Sequence, residues 1–311
     1  MFLKNSRNVL SLTCSQNFTK RFRRSKSKST SFPADYCVDL VRQNDHENFL
    51  CTLLVSESIR TTAFAVRAFN TEVARVSDVV SNTNIAQMRL KFWEEAVEKI
   101  FSNNPPEHPV AKEIYRALNK HKLSKLYFSR LVTSRRNQIL KNGFPNLESM
   151  EQYSENSVSS VFYLLLQAAG VQDMNVDHAV SHLGKAQGIT NSLRALPHLA
   201  KNPETATFPL PIDLLLKHNV STEAILRGGN DGLKEVAYEV ASRAKLHVDK
   251  AKSLSSKFSR DTFLICLPIV PVMGFLTRLQ KANFNVFDPS LSLRDNFLPV
   301  KLFWAKFRSS Y

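Results

Sequence analysis

The chain has 311 residues, 43% of them hydrophobic, and a net charge of +15. That supplies apolar material for one large domain or two small ones. Eight of the 42 basic residues and none of the acidic ones precede Asp35, so more than half of the net charge lies in the first 34 residues. With so little excess left in the body, and no known nucleic-acid motif, charge gives no case for a nucleic-acid partner.

Residues 1–34 carry Lys4, Arg7, Lys20, Arg21, Arg23, Arg24, Lys26 and Lys28 among many hydroxyl residues. Phe2, Leu3, Val9, Leu10, Leu12 and Phe18 supply apolar positions. A basic, hydroxyl-rich, acid-free leader is the pattern of a mitochondrial transit peptide; the alternative is a plain basic tail. Residues 9–14 are too short and too polar for a secretory core. The expected division is a disordered leader over 1–34, with cleavage between 23 and 33, and a helical domain over 35–311.

From Asp35 onward, apolar residues recur at three- and four-residue spacing. Only 8 glycines are present, which also favours helices over sheet. Residues 35–55 predict two helices or one bent one. Residues 57–80 predict the next, on Ile59, Ala63, Val66, Phe69, Val73 and Val76. Another runs over 85–101, closed by Asn103-Asn104-Pro105-Pro106. Helices follow over 108–119 and 124–141, with Asn142-Gly143-Phe144-Pro145 as a stop. A single helix is expected over 147–169.

Residues 173–196 carry the stripe Val176, Ala179, Val180, Leu183, Ala186, Ile189 and Leu193. A proline-bearing loop covers 202–211, Ser221 caps a short helix, and the turn 228–232 opens a long helix over 233–258. Residues 263–276 are the most apolar stretch, at about fourteen residues too short to span a bilayer. They predict a buried helix. The alternative is an interfacial membrane contact shared with Phe275, Phe284, Phe287 and Trp304.

Chemistry-bearing motifs are sparse. The four cysteines, Cys14, Cys37, Cys51 and Cys266, form no close pair and are expected to pack as small apolar residues. His178 and His182, beside Asp177, have the spacing of two imidazoles on one helix face, but no third ligand follows. A solvated face is expected there rather than a metal. The glycines at 228, 229 and 232 lack the Lys-Ser/Thr pair of a phosphate loop. No nucleophile elbow or dinucleotide fingerprint occurs.

One segment is more specific. Thr190-Asn191-Ser192-Leu193-Arg194-Ala195-Leu196-Pro197-His198-Leu199 resembles the T-N-x-L-R-D-x-x-x-D motif of the squalene/phytoene synthase family. Tyr153-Ser154-Glu155-Asn156-Ser157-Val158-Ser159-Ser160 is similar to its Y-x-x-x-V-A-G-T. Phe208-Pro209-Leu210-Pro211, with residues 214–221, is similar to its Y-L-P-x-E-x-L-x-x-x-G-V-S. Residues 65–78 resemble its first metal segment, A-F-C-R-x-x-D-D-x-x-D. The resemblance covers roughly 36–291 and implies an all-α isoprenoid-synthase-like helical bundle around a central cavity.

In that family the aspartates hold magnesium. A prenyl diphosphate ionises only when the departing pyrophosphate is neutralised, and hard cations take carboxylate oxygens. Here the second pair is replaced by Ala195 and Leu199, with Pro197 between them. Aligning Phe69 puts Ala74 and Arg75 at the first pair and leaves Asp78 at the third position. What the resemblance then implies is a pseudoenzyme with no metal and no cofactor.

Arg75, Tyr153, Asn191 and Arg194 are the candidate vestiges of diphosphate or cavity contacts, with Lys185 and Lys201 as further basic groups. The alternative use of Arg194 is to satisfy a helix end or to pair with Glu72 or Asp78. Residues 67–76, 87–93 and 188–194 resemble more narrowly the non-synthase branch of the family. That branch implies a matrix-side protein, peripheral on the mitochondrial inner membrane. Its role there would be early membrane-arm assembly of respiratory complex I, with complex I subunits or other assembly factors as partners. An active prenyl-diphosphate transferase and a metal-free binder of a prenyl phosphate lipid are the alternatives.

Overall fold

Helix starts are written into the chain by short polar side chains that satisfy free backbone N–H groups. The computed structural model describes residues 32–79, 82–202, 207–255 and 258–311, without the side chains of 78 and 79. The leader expected over 1–34 therefore lies outside the described residues, except for its last three. Residues 32–311 form one unit.

The helices in order are α1 (Pro33–Asn44), α2 (His46–Leu53), α3 (Glu57–Ala74), α4 (Val76–Val79), α5 (Thr83–Phe101), α6 (Pro109–Leu118) and α7 (Lys125–Gln138). After α8 (Leu147–Ser154), a π-helical turn (Glu155–Ser159) leads into α9 (Ser160–Ala168) and then α10 (Met174–Leu199). The remainder comprises α11 (Ile212–Lys217), α12 (Thr222–Leu226), α13 (Asp231–Leu254), α14 (Arg260–Ile265), α15 (Ile269–Lys281), α16 (Pro289–Ser292) and α17 (Leu298–Arg308).

Asn82, Asn146, Asp173 and Asn230 accept backbone N–H bonds at the starts of α5, α8, α10 and α13. Ser221 caps α12 as expected. Among the described residues the only β pairing is an isolated bridge between Phe144 and Pro211, so the all-α expectation holds.

Every residue from Thr62 to Phe69 is buried, which makes α3 a central helix. It packs against α1, α6 and α9, while α10 lies along α13, α8 and the π turn. Phe69, Trp93 and Phe128 meet edge to face at 5.3 Å in the core between α3, α5 and α7.

Three expectations need correction. The single helix expected over 147–169 is interrupted by the π turn. Its cause is close approach to α10: a Cβ at Gly184 would stand 2.6 Å from Ser159 Cα, and one at Gly188 2.5 Å from Ser154 Cβ. Only glycine lets these backbones meet, and the extra residue of a π turn sets Ser154 and Ser159 against the two gaps. Second, α10 runs through Pro197 to Leu199. Proline costs one backbone bond there without ending the helix.

The third correction concerns the apolar run 263–276. It is buried, but in two pieces, the end of α14 and the start of α15, separated around Pro268. Phe275 is 2% exposed and belongs to the core; Phe284 and Phe287 are half-buried against it. Of the four aromatics linked to a membrane contact, Trp304 alone is exposed. Among the described residues no helix is long and apolar enough to cross a membrane.

Candidate functional site

The two segments matched to metal motifs end α3 and α10. Ala74 is the last residue of α3 and Arg75 its C-cap, both half-buried. Asp78 follows on α4, with its side chain outside the described residues. On α10, Ala195 and Leu199 are half-buried and one turn apart. Methyl and isobutyl groups carry no oxygen, and a guanidinium repels cations. Ala74, Arg75, Ala195 and Leu199 therefore supply no oxygen ligand to a divalent ion. Among the described residues, no cluster of three or more His, Cys, Asp or Glu side chains is placed to hold a metal.

Positive charge has a second source beside α3. Arg135 donates to Asn70 Oδ1 and to Leu131 O, each at 2.7 Å, and to Ser157 O at 3.4 Å. Asn70 lies one turn before Ala74. Burial pushes the Arg135 guanidinium below its usual range, and the nearby Tyr153 phenol partly offsets this. Glu72, by contrast, accepts from the Tyr36 hydroxyl at 2.8 Å. Burial raises Tyr36 to about 12, and Glu72 adds to the rise.

The four candidate contact residues do not share one environment. Arg194 is ion-paired to Glu47 on α2, donates to Pro271 O at 3.2 Å, and lies 4.6 Å from the centre of the Phe275 ring. It is therefore held as a cross-brace whose acidic partner is Glu47, while Glu72 accepts from Tyr36 and the Asp78 side chain lies outside the described residues. Asn191 is exposed. Tyr153 is half-buried, its ring centre 5.3 Å from that of Phe144. Lys201 is exposed past the end of α10. Lys185 lies about 13 Å along α10 from Arg194, beside a histidine pair.

That pair corrects the solvated-face expectation. His178 is exposed, but His182 turns toward α13, where its Nδ1 lies 2.8 Å from Nδ1 of His247. His247 Nε2 in turn lies 3.1 Å from Glu151, which also accepts from Arg243 at 2.9 Å. Burial, followed by the charge of His247, pushes His182 down to about 4.

Sequence reasoning missed Arg67, which is 5% exposed on α3. Its Nε has no partner, and its guanidinium carbon lies 6.0 Å from the centre of the Phe162 ring. Desolvation pushes Arg67 down and Asp45 up, and each partly offsets the other. Asp45 accepts from Asn48 Nδ2 at 2.9 and 3.0 Å. The hydroxyls of Ser157, Ser160 and Thr190 are buried and unpartnered on the neighbouring elements. The available signal was one arginine inside an otherwise buried, mostly apolar run; Asp45 carries no periodic signal.

A helical bundle with paired motif segments ending two of its central helices is the architecture of an isoprenoid-synthase-like protein. Residues 41–296 match the squalene/phytoene synthase family, and the chain belongs to it. It is 38% identical over 277 residues to "NADH dehydrogenase (ubiquinone) complex I, assembly factor 6" of Homo sapiens, covering 89% of this chain and 82% of that one. The homologue of that protein in Drosophila melanogaster is 38% identical over 287 residues, covering 90% and 85%.

Among solved structures, a dehydrosqualene synthase superposes with a TM-score of 0.75 at 16% identity, covering 89% of this chain and 96% of that one. A squalene synthase from Alicyclobacillus acidocaldarius gives 0.70 at 18% identity, covering 81% and 95%. At such identities these two establish the shared fold.

Proposed function

We propose that the chain is an assembly factor for mitochondrial respiratory complex I, NADH:ubiquinone oxidoreductase, acting by protein contact and not by prenyl-diphosphate chemistry. The observation that carries this is the 38% identity to relatives named as complex I assembly factors, over 89% of the chain. Support for a non-catalytic role comes from the donor set at the motif positions. Ala74, Arg75, Ala195 and Leu199 offer nothing to magnesium, and Arg194 is engaged with Glu47. The leader is the address to the mitochondrion. The folded domain acts on the matrix side of the inner membrane, as a peripheral protein, on complex I subunits or fellow assembly factors.

The test is depletion of the protein, followed by native electrophoresis with in-gel NADH dehydrogenase staining. Complex I is selectively lost and is restored by an Asp78→Ala protein. Normal complex I after depletion overturns the reading.

A second reading, a metal-free binder of a prenyl phosphate lipid, is favoured by the unpartnered Arg67 Nε and the hydroxyls of Ser157, Ser160 and Thr190. Calorimetry with farnesyl diphosphate in the presence of a chelator gives saturable heat on this reading, removed by Arg67→Met. Absence of that heat discards it. Magnesium-dependent pyrophosphate release would instead restore the transferase alternative.

A further inference from the structure

The helix α17 has two apolar faces. Leu298, Leu302 and Ala305 are buried, and with Cys51, Phe263, Leu264 and Leu267 they form a satellite core. Tyr311 locks the segment that follows: its ring stacks on Phe263 at 4.4 Å, and its hydroxyl donates to Phe263 O at 3.1 Å. The helix is thus already seated by one face. The opposite face carries Phe297, Val300, Phe303, Trp304 and Phe307, which are 58–76% exposed. They recur at three- and four-residue spacing, so they make one stripe rather than scattered surface residues. Large contiguous apolar patches of this kind on a soluble surface mark contact sites.

The charges around the stripe indicate which occupant it suits. Lys306 and Arg308 flank it, Lys301 is ion-paired to Asp295 just before the helix, and α17 itself contains no acidic residue. Beside the helix runs a groove of about 800 Å³ lined by Phe258, Phe303 and Phe307 together with Lys252, Arg260 and Lys306. Arg308 lies 5.9 Å from the centre of the Trp304 ring, a cation against an aromatic face. An exposed aromatic stripe bordered by cations has the composition of a helix lying in the interface of an anionic bilayer. Rings enter the acyl boundary while lysine and arginine stems reach up to phosphates.

We infer that the outer face of α17, with the adjoining Lys252–Arg260–Lys306 groove, is the surface by which this protein docks on an anionic lipid bilayer. This deepens, and rests on, the peripheral-membrane part of the function proposed above.

Tryptophan fluorescence tests it directly. The chain has two tryptophans, and the other, Trp93, is 4% exposed and insulated from any lipid contact. The full chain is titrated with phosphatidylcholine vesicles with and without phosphatidylglycerol. Trp304 emission shifts to the blue on the anionic vesicles and is quenched by a brominated acyl chain. Raised salt weakens the effect. Phe303→Glu/Phe307→Glu lowers partitioning at least ~10-fold, as expected when two rings leave the acyl boundary, with an unchanged thermal midpoint. Because the basic leader is present in both proteins, leader binding cannot produce the difference.

Partitioning unchanged in the double variant, or no shift of Trp304 emission, overturns the inference. So does a dimer in solution that the variant dissolves without any vesicle binding. Loss of binding only in Met88→Glu/Leu140→Glu, on another exposed apolar patch, moves the membrane contact elsewhere and also overturns it. The complex I gel is an independent readout: a variant that leaves the bilayer but still restores complex I spares the assembly reading.

Discussion

Arg194 and Glu47, 147 positions apart, form an ion pair that ties the last turns of α10 to α2. Both side chains are only about a quarter exposed. The same guanidinium covers the Phe275 ring and donates to Pro271 O, so one residue clamps three elements. In the sequence it stands within a motif associated with diphosphate chemistry, whereas in the fold it is a brace.

Arg194→Ala should therefore lower stability by about 2 kcal/mol, more than an exposed ion pair contributes, because a ring contact and a carbonyl bond are lost as well. Glu47→Gln should cost less, about 1 kcal/mol. Urea unfolding of both single variants and the double variant checks this. Additive losses would mean that the pair is not coupled.

Close packing of α10 on the π turn predicts a sharp contrast between two glycines. Gly184→Ala should cost at least ~2 kcal/mol, since its Cβ would meet Ser159 Cα at 2.6 Å. Gly274→Ala, where a Cβ meets nothing within 4 Å inside α15, should stabilise by ~0.5–1 kcal/mol through reduced freedom of the unfolded chain. Thermal midpoints that fail to move in opposite directions would contradict the geometry.

The histidine pair predicts an acid-sensitive stability. His182 falls from 6.5 to about 4 in the folded protein, through burial first and then the charges of His247, Lys185, Lys250 and His178. His247 is lowered too, by burial, with Lys185 and Arg243 adding to the fall and Glu151 opposing it. Below pH 6.5 the unfolded chain takes up protons that folded His182 does not, so stability is lost as pH falls from 6.5 toward 4. His182→Asn should flatten that window in urea titrations across pH. An unaltered slope would assign the acid sensitivity to other groups.

Magnesium gives the metal test. Since Ala74, Arg75, Ala195 and Leu199 supply no oxygen ligands, millimolar magnesium and then a chelator should both leave the thermal midpoint unchanged. A ligand that binds the native state raises it. A magnesium-dependent rise, removed by Asp78→Ala, would show a cation bound through the third motif position.

Much of the fold was legible in the sequence because its causes are local. Three- and four-residue apolar spacing, with the cap at Ser221, depends on neighbours along the chain. The identities at 74, 75, 195 and 199 are equally a property of the sequence, and they state what the motif positions offer chemically. Only the tertiary structure decided where the polar side chains are spent. Glu47 meets Arg194 and His182 meets His247 across long separations, and Gly184 and Gly188 become a close approach only when α10 lies against Ser154 and Ser159. Likewise, periodicity marks apolar residues but cannot say which apolar face finds a partner. The run 263–276 is covered by its neighbours, while α17, having packed one stripe, leaves the other exposed to solvent.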